Sequence, residues 1–258
     1  MSKKLLLDIL ESINTLVINN IRHKKYNFNF FQNFLLSPVN FRRINMQERR
    51  LSMKYVIIVV PLRKSKGVHQ VVYPMDGNKD IEYEKPVRCP INGILAKTLK
   101  PGEQVKVIYI MAVGKTSNCR ENKDLFIQEL EEINADIGAK LEYDTIEFDF
   151  NATKQTYNKL LLDLADKIEH DSEIFADITY GHKTEVLSLL CAFSYVEEFH
   201  ETVVERIYYG KMEFIDNRPV YPKIFDITSL YHLIKLIGSM GNSSEESARK
   251  TLNKFFAL

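Results

Sequence analysis

The chain of 258 residues contains no Trp, three Cys, ten Gly and eight Pro. Cys89, Cys119 and Cys191 lie far apart with no Cys-x-x-Cys between them, so neither a disulfide framework nor a cysteine zinc site is written here. Gly and Pro are too scarce for a low-complexity or collagen-like chain. No apolar run approaches the ~18–20 residues of a membrane span. The start, MSKKLLLDIL, has the basic flank of a secretory signal, but Asp8 and Glu11 interrupt its apolar stretch and no small-residue cleavage site follows. These absences lead to the expectation of a cytoplasmic protein that does not enter a membrane.

Net charge is also nearly absent, at +1, but it is unevenly distributed. Residues 1–52 hold nine Lys and Arg against three Asp and Glu, a surplus of six. The remainder holds 26 basic and 31 acidic residues, a deficit of five. A long nucleic acid needs a broad basic surface, which an acidic body does not offer, although a small basic pocket is compatible with it. Residues 1–20 could form a helix with Leu5, Leu6, Ile9, Ile13 and Val17 on one face. Residues 21–52 show no clean period and read as an irregular, poorly packed basic arm. The body begins at Met53, a position from which translation could also start.

From 53 onward the pattern alternates between strands and helices. Tyr55–Val60 is a continuous apolar run of the kind a strand buried on both faces requires, and Val105–Val113 is a second such run, broken only by Lys106. Further strands are expected at 141–150, 173–179 and 203–214, with an extended piece at 222–227. Helices are expected at 121–137 (stopped by Gly138), 153–170, 183–199, 229–237 and 244–256, the last capped by Ser243 or Ser244. Segment 64–104 fits less well, with 68–73 and 88–98 as short extended or helical pieces. The alternation calls for an α/β fold with a doubly wound, mostly parallel sheet and helices on both faces over 53–258, preceded by the arm 1–52.

Ligands of such sheets sit beyond the carboxyl ends of the strands, and three of these ends are polar. Leu62-Arg63-Lys64-Ser65 follows the first strand and suits a phosphate, though a solvated turn would look the same. Arg63 and His69 have the Arg-x5-His spacing of HEPN ribonucleases, whose pairs lie on helices and not in a strand-end loop. Gly114-Lys115-Thr116-Ser117-Asn118 lacks the first glycine of a P-loop, since Tyr109 stands in its place, which leaves a short loop able to hold a phosphate or ribose. Glu121 and Lys123 lack the preceding strand Asp of a metal nuclease. The third end, Asp177-Ile178-Thr179-Tyr180-Gly181-His182-Lys183-Thr184, carries the strongest signal. Gly181 permits a tight turn, a helix starts near Lys183, and its N-terminal amides, dipole and ammonium all favour an anion. Asp177, inside the strand, reads as positioning this loop. No residue pattern requires a metal or cofactor.

Asp177-Ile178-Thr179-Tyr180-Gly181-His182-Lys183, then Tyr208-Tyr209-Gly210, then Pro222-Lys223-Ile224-Phe225-Asp226-Ile227-Thr228, resemble in order and spacing the CARF (CRISPR-associated Rossmann fold) domain. The likeness covers 53–258. It implies a Rossmann-like homodimeric sensor of type III CRISPR antiviral defence that binds a cyclic oligoadenylate, most simply cyclic tetra-adenylate, across a twofold axis. Carried onto this chain, it implies ligand contacts from Asp177 to Thr184, completed by the Leu62–Ser65 and Gly114–Asn118 loops. Many relatives have an aromatic residue or Pro where His182 stands. Most are fused to an effector, whereas only about 30 residues follow Asp226 here, so an effector protein acting in trans is one expectation. The alternative is a metal-independent ring nuclease. There the ribose 2′-OH attacks the adjacent phosphate to leave a 2′,3′-cyclic phosphate, with Lys183 and His182 as the catalytic residues. A dinucleotide-binding protein is disfavoured because no Gly-x-Gly-x-x-Gly turn follows Val60.

Overall fold

The computed structural model describes residues 53–62, 64, 68–114, 117–151, 153–216 and 218–256. The expected arm 1–52 lies outside the described residues, as do the candidate site residues Arg63, Ser65, Lys115 and Thr116.

Strand β1 (Lys54–Val59) is buried along its whole length. Tyr55, Ile57 and Val59 enter the core on one side of the sheet, and Val56, Ile58 and Val60 enter the core on the other. This two-sided burial explains the absence of polar alternation in its sequence. β1 pairs in parallel with β2 (Gln104–Val113) and with β4 (Glu173–Asp177). β3 (Lys140–Asp149) continues outward from β2 and β5 (Val203–Ile215) from β4. β6 (Arg218–Asp226) closes the edge antiparallel to β5. The order is β3-β2-β1-β4-β5-β6, a doubly wound α/β sheet.

Helices α1 (Pro90–Thr98) and α2 (Cys119–Asn134) cover one face through Ile91, Ile94, Leu95, Phe126 and Leu130. α3 (Lys154–Lys167) and α4 (Lys183–Phe199) cover the other through Leu160, Leu164, Leu189, Phe193 and Val196. α5 (Thr228–Ser239) adds Tyr231 to that second face. α6 (Glu245–Phe256) starts at Ser244, whose hydroxyl accepts the Ser247 N–H, so Ser244 is the cap.

Two expectations are made definite. The piece 88–98, read as extended or helical, is the crossover helix α1, whose first six residues are all buried. Its first turns thus show no polar side, and Pro90 at the first turn is the signal that remains. The extended piece at 222–227 is a full strand that starts at Arg218. Tyr221, at φ +51°, interrupts its pattern where the register with β5 shifts.

α5 is fastened by Glu197, a buried carboxylate of α4. It accepts from Tyr231 Oη at 2.7 Å, Lys235 Nζ at 2.6 Å and the Val204 N–H at 3.1 Å. Glu197→Ala leaves these donors facing the interior and should lower stability by about 3–5 kcal/mol. Urea denaturation measures the loss, and a change below ~1 kcal/mol would show that α5 is held by other means.

Candidate functional site

In the observed order the chain turns back between β1 and β4, so the crevice for a ligand lies above the carboxyl ends of these two strands. Asp177 ends β4 beside Ile58 of β1. Its side chain is 1% exposed. One carboxylate oxygen accepts the Thr179 N–H at 2.8 Å, and the other accepts the Ile91 N–H at 3.1 Å in the first turn of α1. Burial pushes the Asp177 carboxyl above its usual range, opposed by these bonds and by the Thr179 hydroxyl. The Thr179 hydroxyl also accepts the Gly210 N–H at 2.7 Å. Gly210 is required there, because a Cβ would stand 2.8 Å from Pro90 Cγ and 2.9 Å from Thr179 Oγ1. Tyr180 turns inward, with its ring 6.2 Å from that of Phe126 and its hydroxyl donating to Arg88 O at 3.3 Å.

Among the expected contact residues, Asp177, Thr179 and Tyr180 have their side chains turned into the fold, where they tie β4 to α1 and β5. The open part of the loop comes next in the chain: Gly181, His182, Lys183 and Thr184 are exposed. Gly181 has φ +93°, and a Cβ there would run into the Glu185 carboxylate and lie 2.6 Å from Val59 Cγ1. Glu185 reaches back to accept the His182 N–H at 3.1 Å, the reciprocal bond of a helix-capping pair. Among the described residues no acceptor meets the N–H of Lys183 or Thr184, and no carboxylate pairs with the Lys183 ammonium.

The other strand ends are tied to one another. The Asn118 N–H donates to Leu62 O at 3.3 Å and Asn122 Nδ2 donates to Pro61 O at 2.8 Å, which joins the end of β1 to the start of α2. The Ser117 hydroxyl is engaged locally, donating to Ala112 O at 2.8 Å and accepting the Cys119 N–H at 3.3 Å. A cavity of about 500 Å³ opens beside it, lined by Val113, Gly114, Ser117, Asn118, Arg120 and Glu121, a size suited to a nucleotide. Lys64 is exposed. Phe150, just after β3, is the residue that sequence reasoning missed. Its N–H donates to Val113 O at 2.8 Å, and its half-exposed ring lies edge-on to His182 at 5.6 Å, so it bridges the second and third loops. Its position at the carboxyl end of a strand was the available signal.

The arrangement provides open amides and an ammonium for an anion, with an aromatic pair beside them. Among the described residues no three His, Cys, Asp or Glu side chains stand close enough to hold a metal ion, and no helix is long and apolar enough to cross a membrane. The fold is that of a doubly wound α/β protein, and the loop at its switch point carries the exposed Lys183 and the first amides of α4. No protein-family model and no curated protein matches the chain.

Glu185 is 2% exposed, and among the described residues its second carboxylate oxygen has no hydrogen-bond partner. Burial raises its pKa above the usual carboxylate range, partly offset by the His182 amide and ring. The folded protein thus holds a proton here that the unfolded chain releases. The resulting stability is fully present below the unfolded value and is lost as pH rises through the folded one. Glu185→Gln should match wild type in acid and exceed it in stability at neutral pH. Thermal melts across pH check this, and parallel curves for the two proteins would contradict it.

Proposed function

We propose that the chain is a receptor for a cyclic oligoadenylate, probed first with cyclic tetra-adenylate, and that it works as a homodimeric sensor in type III CRISPR defence. The observation that carries this reading is the open N-terminus of α4 at the β1/β4 switch point. There the Lys183 and Thr184 amides and the Lys183 ammonium lack partners among the described residues. A phosphodiester supplies the anion they accept. The neighbouring Phe150 and His182 rings offer an aromatic surface on which an adenine can stack. The resemblance in three ordered motifs supports the choice of oligoadenylate over other nucleotides. A twofold dimer would present each loop twice, matching the twofold symmetry of a four-membered ring.

Purified protein incubated with labelled cyclic tri-, tetra- and hexa-adenylate tests the reading, with binding and products resolved separately. Retention of at least one intact ring is expected. Linear products ending in a 2′,3′-cyclic phosphate would make the protein a ring nuclease, and no interaction with any ring would overturn the assignment. Lys183→Ala removes one charge-assisted contact per copy, worth about 1.5–3 kcal/mol each. Affinity should fall at least ~100-fold with the fold unchanged, because Lys183 is exposed and unpaired among the described residues. Wild-type affinity in the folded variant would remove α4 from the pocket.

A further inference from the structure

The outer surfaces of α4 and α5 differ from those of the other sheet-covering helices. α2 exposes Arg120, Glu121, Asp124, Glu131 and Glu132, and α3 exposes Lys154, Lys159 and Asp166, as solvated helices do. On α4 no exposed residue between Lys183 and Glu198 is charged, because Glu185 and Glu197 both turn inward. On α5 no exposed residue is charged at all, and Lys235 is folded onto Glu197 at 2.6 Å. In place of charge, α4 exposes Leu187, Tyr195 and Phe199, and α5 exposes Leu230, Ile234 and Ile237, each to between 42% and 63%. The two helices are linked through Tyr231, whose Oη lies 3.3 Å from Ser194 Oγ and 2.7 Å from the Glu197 carboxylate.

The area is substantial. A large side chain can bury ~150–250 Å², so six at these exposures offer on the order of 600 Å². That is the upper end of the ~300–600 Å² of the largest patch on an ordinary monomer. It is also most of the ~800 Å² that each partner contributes to a standard interface. Depletion of charge is the composition of an interface centre.

We infer that the outer face of α4 and α5 is the surface on which a second copy of this chain docks. The inference deepens the dimeric reading above and rests on it for the twofold axis. The chemistry of the face selects the occupant. At a twofold interface residues meet their own copies or near neighbours, so a face without charge is complementary to itself, whereas a charged one repels its copy. Residues 1–52 carry a surplus of six positive charges and would be met by an acidic face. A membrane surface would call for a rim of several Lys and Arg, and of the exposed residues on α4 and α5 only Lys183 is basic. A twofold axis running alongside α4 brings the two Lys183 residues to the same end of the dimer, where the proposed ligand binds.

The test is light scattering with size-exclusion chromatography on the full chain, over a range of concentrations, for wild type, Leu187→Glu and Ile234→Glu. Both positions are more than half exposed, so the variants should fold, and a circular dichroism spectrum matching wild type qualifies each one. Wild type is expected at the mass of a dimer. Each variant should dissociate at least ~100-fold more readily, because it places like charges in an apolar interface. Folded variants that remain as tightly dimeric as wild type would overturn this face while leaving the dimeric sensor intact. A monomeric wild type, its face then covered by residues 1–52, by a lipid surface or by another protein, would overturn both.

Discussion

The buried carboxylate of Asp177 is the contact on which both the site and half of the core depend. Left without partners in the interior, a carboxylate would be strongly disfavoured. Two backbone donors keep it there: the Ile91 N–H and the Thr179 N–H. The first is in the opening turn of α1 and the second is in the loop that leaves β4. One side chain therefore sets the start of a helix on one face of the sheet and the path of the loop above its edge. The same loop fixes β5 through the bond from the Gly210 N–H to the Thr179 hydroxyl. Movement of the loop would break contacts in both directions, so the loop is a rigid support for the N-terminus of α4.

This arrangement separates two helix N-termini that would otherwise compete for an anion. α1 is closed from within: Asp177 takes the Ile91 N–H, while Glu129 takes the N–H groups of Arg88 at 2.7 Å and Cys89 at 3.1 Å. Buried carboxylates already occupy the place of a ligand there. α4 is closed only in part, since Glu185 takes the His182 N–H and leaves those of Lys183 and Thr184. Gly181 makes this partial closure possible, because any side chain at that position would collide with Glu185 and Val59. The open amides are thus the outcome of specific packing, with the positive end of the helix dipole directed at the crevice.

Much of the fold was legible in the sequence, and the reasons differ between elements. β1 and β2 could be read because two-sided burial leaves apolar runs, broken in β2 only by Lys106 near its start, and α4 because Gly181 marks the turn before a helix that runs from Lys183 to Phe199. α1 stayed open between strand and helix because its first six residues are all buried and offer no polar contrast. Within the site, sequence located the loop but could not assign the direction of its side chains. Asp, Thr and Tyr at a strand end satisfy an inward and an outward reading equally well, and only the positions of the Ile91 amide, the Gly210 amide and Arg88 O decide between them. Phe150 was missed for a related reason. Its role arises from a contact with His182 across 32 residues of sequence, and no local pattern encodes such a contact.

The open N-terminus and the uncharged outer face belong to the same rod, because Lys183 is the first residue of α4 and Leu187, Tyr195 and Phe199 lie further along it. In the proposed dimer along α4, two helix N-termini and two Lys183 ammonium groups would approach one another at the crevice end. Apolar burial along the helices favours association while like charge at their ends opposes it. A polyanion bound between the two ends of that dimer would remove the opposition and add contacts of its own. Its binding and the association of the copies would then favour each other by linkage, to the same extent in both directions. A free energy of this kind gives a ligand-binding domain a means of signalling its occupancy without a second site or a moving lid, since the quantity that changes is the strength of the dimer itself.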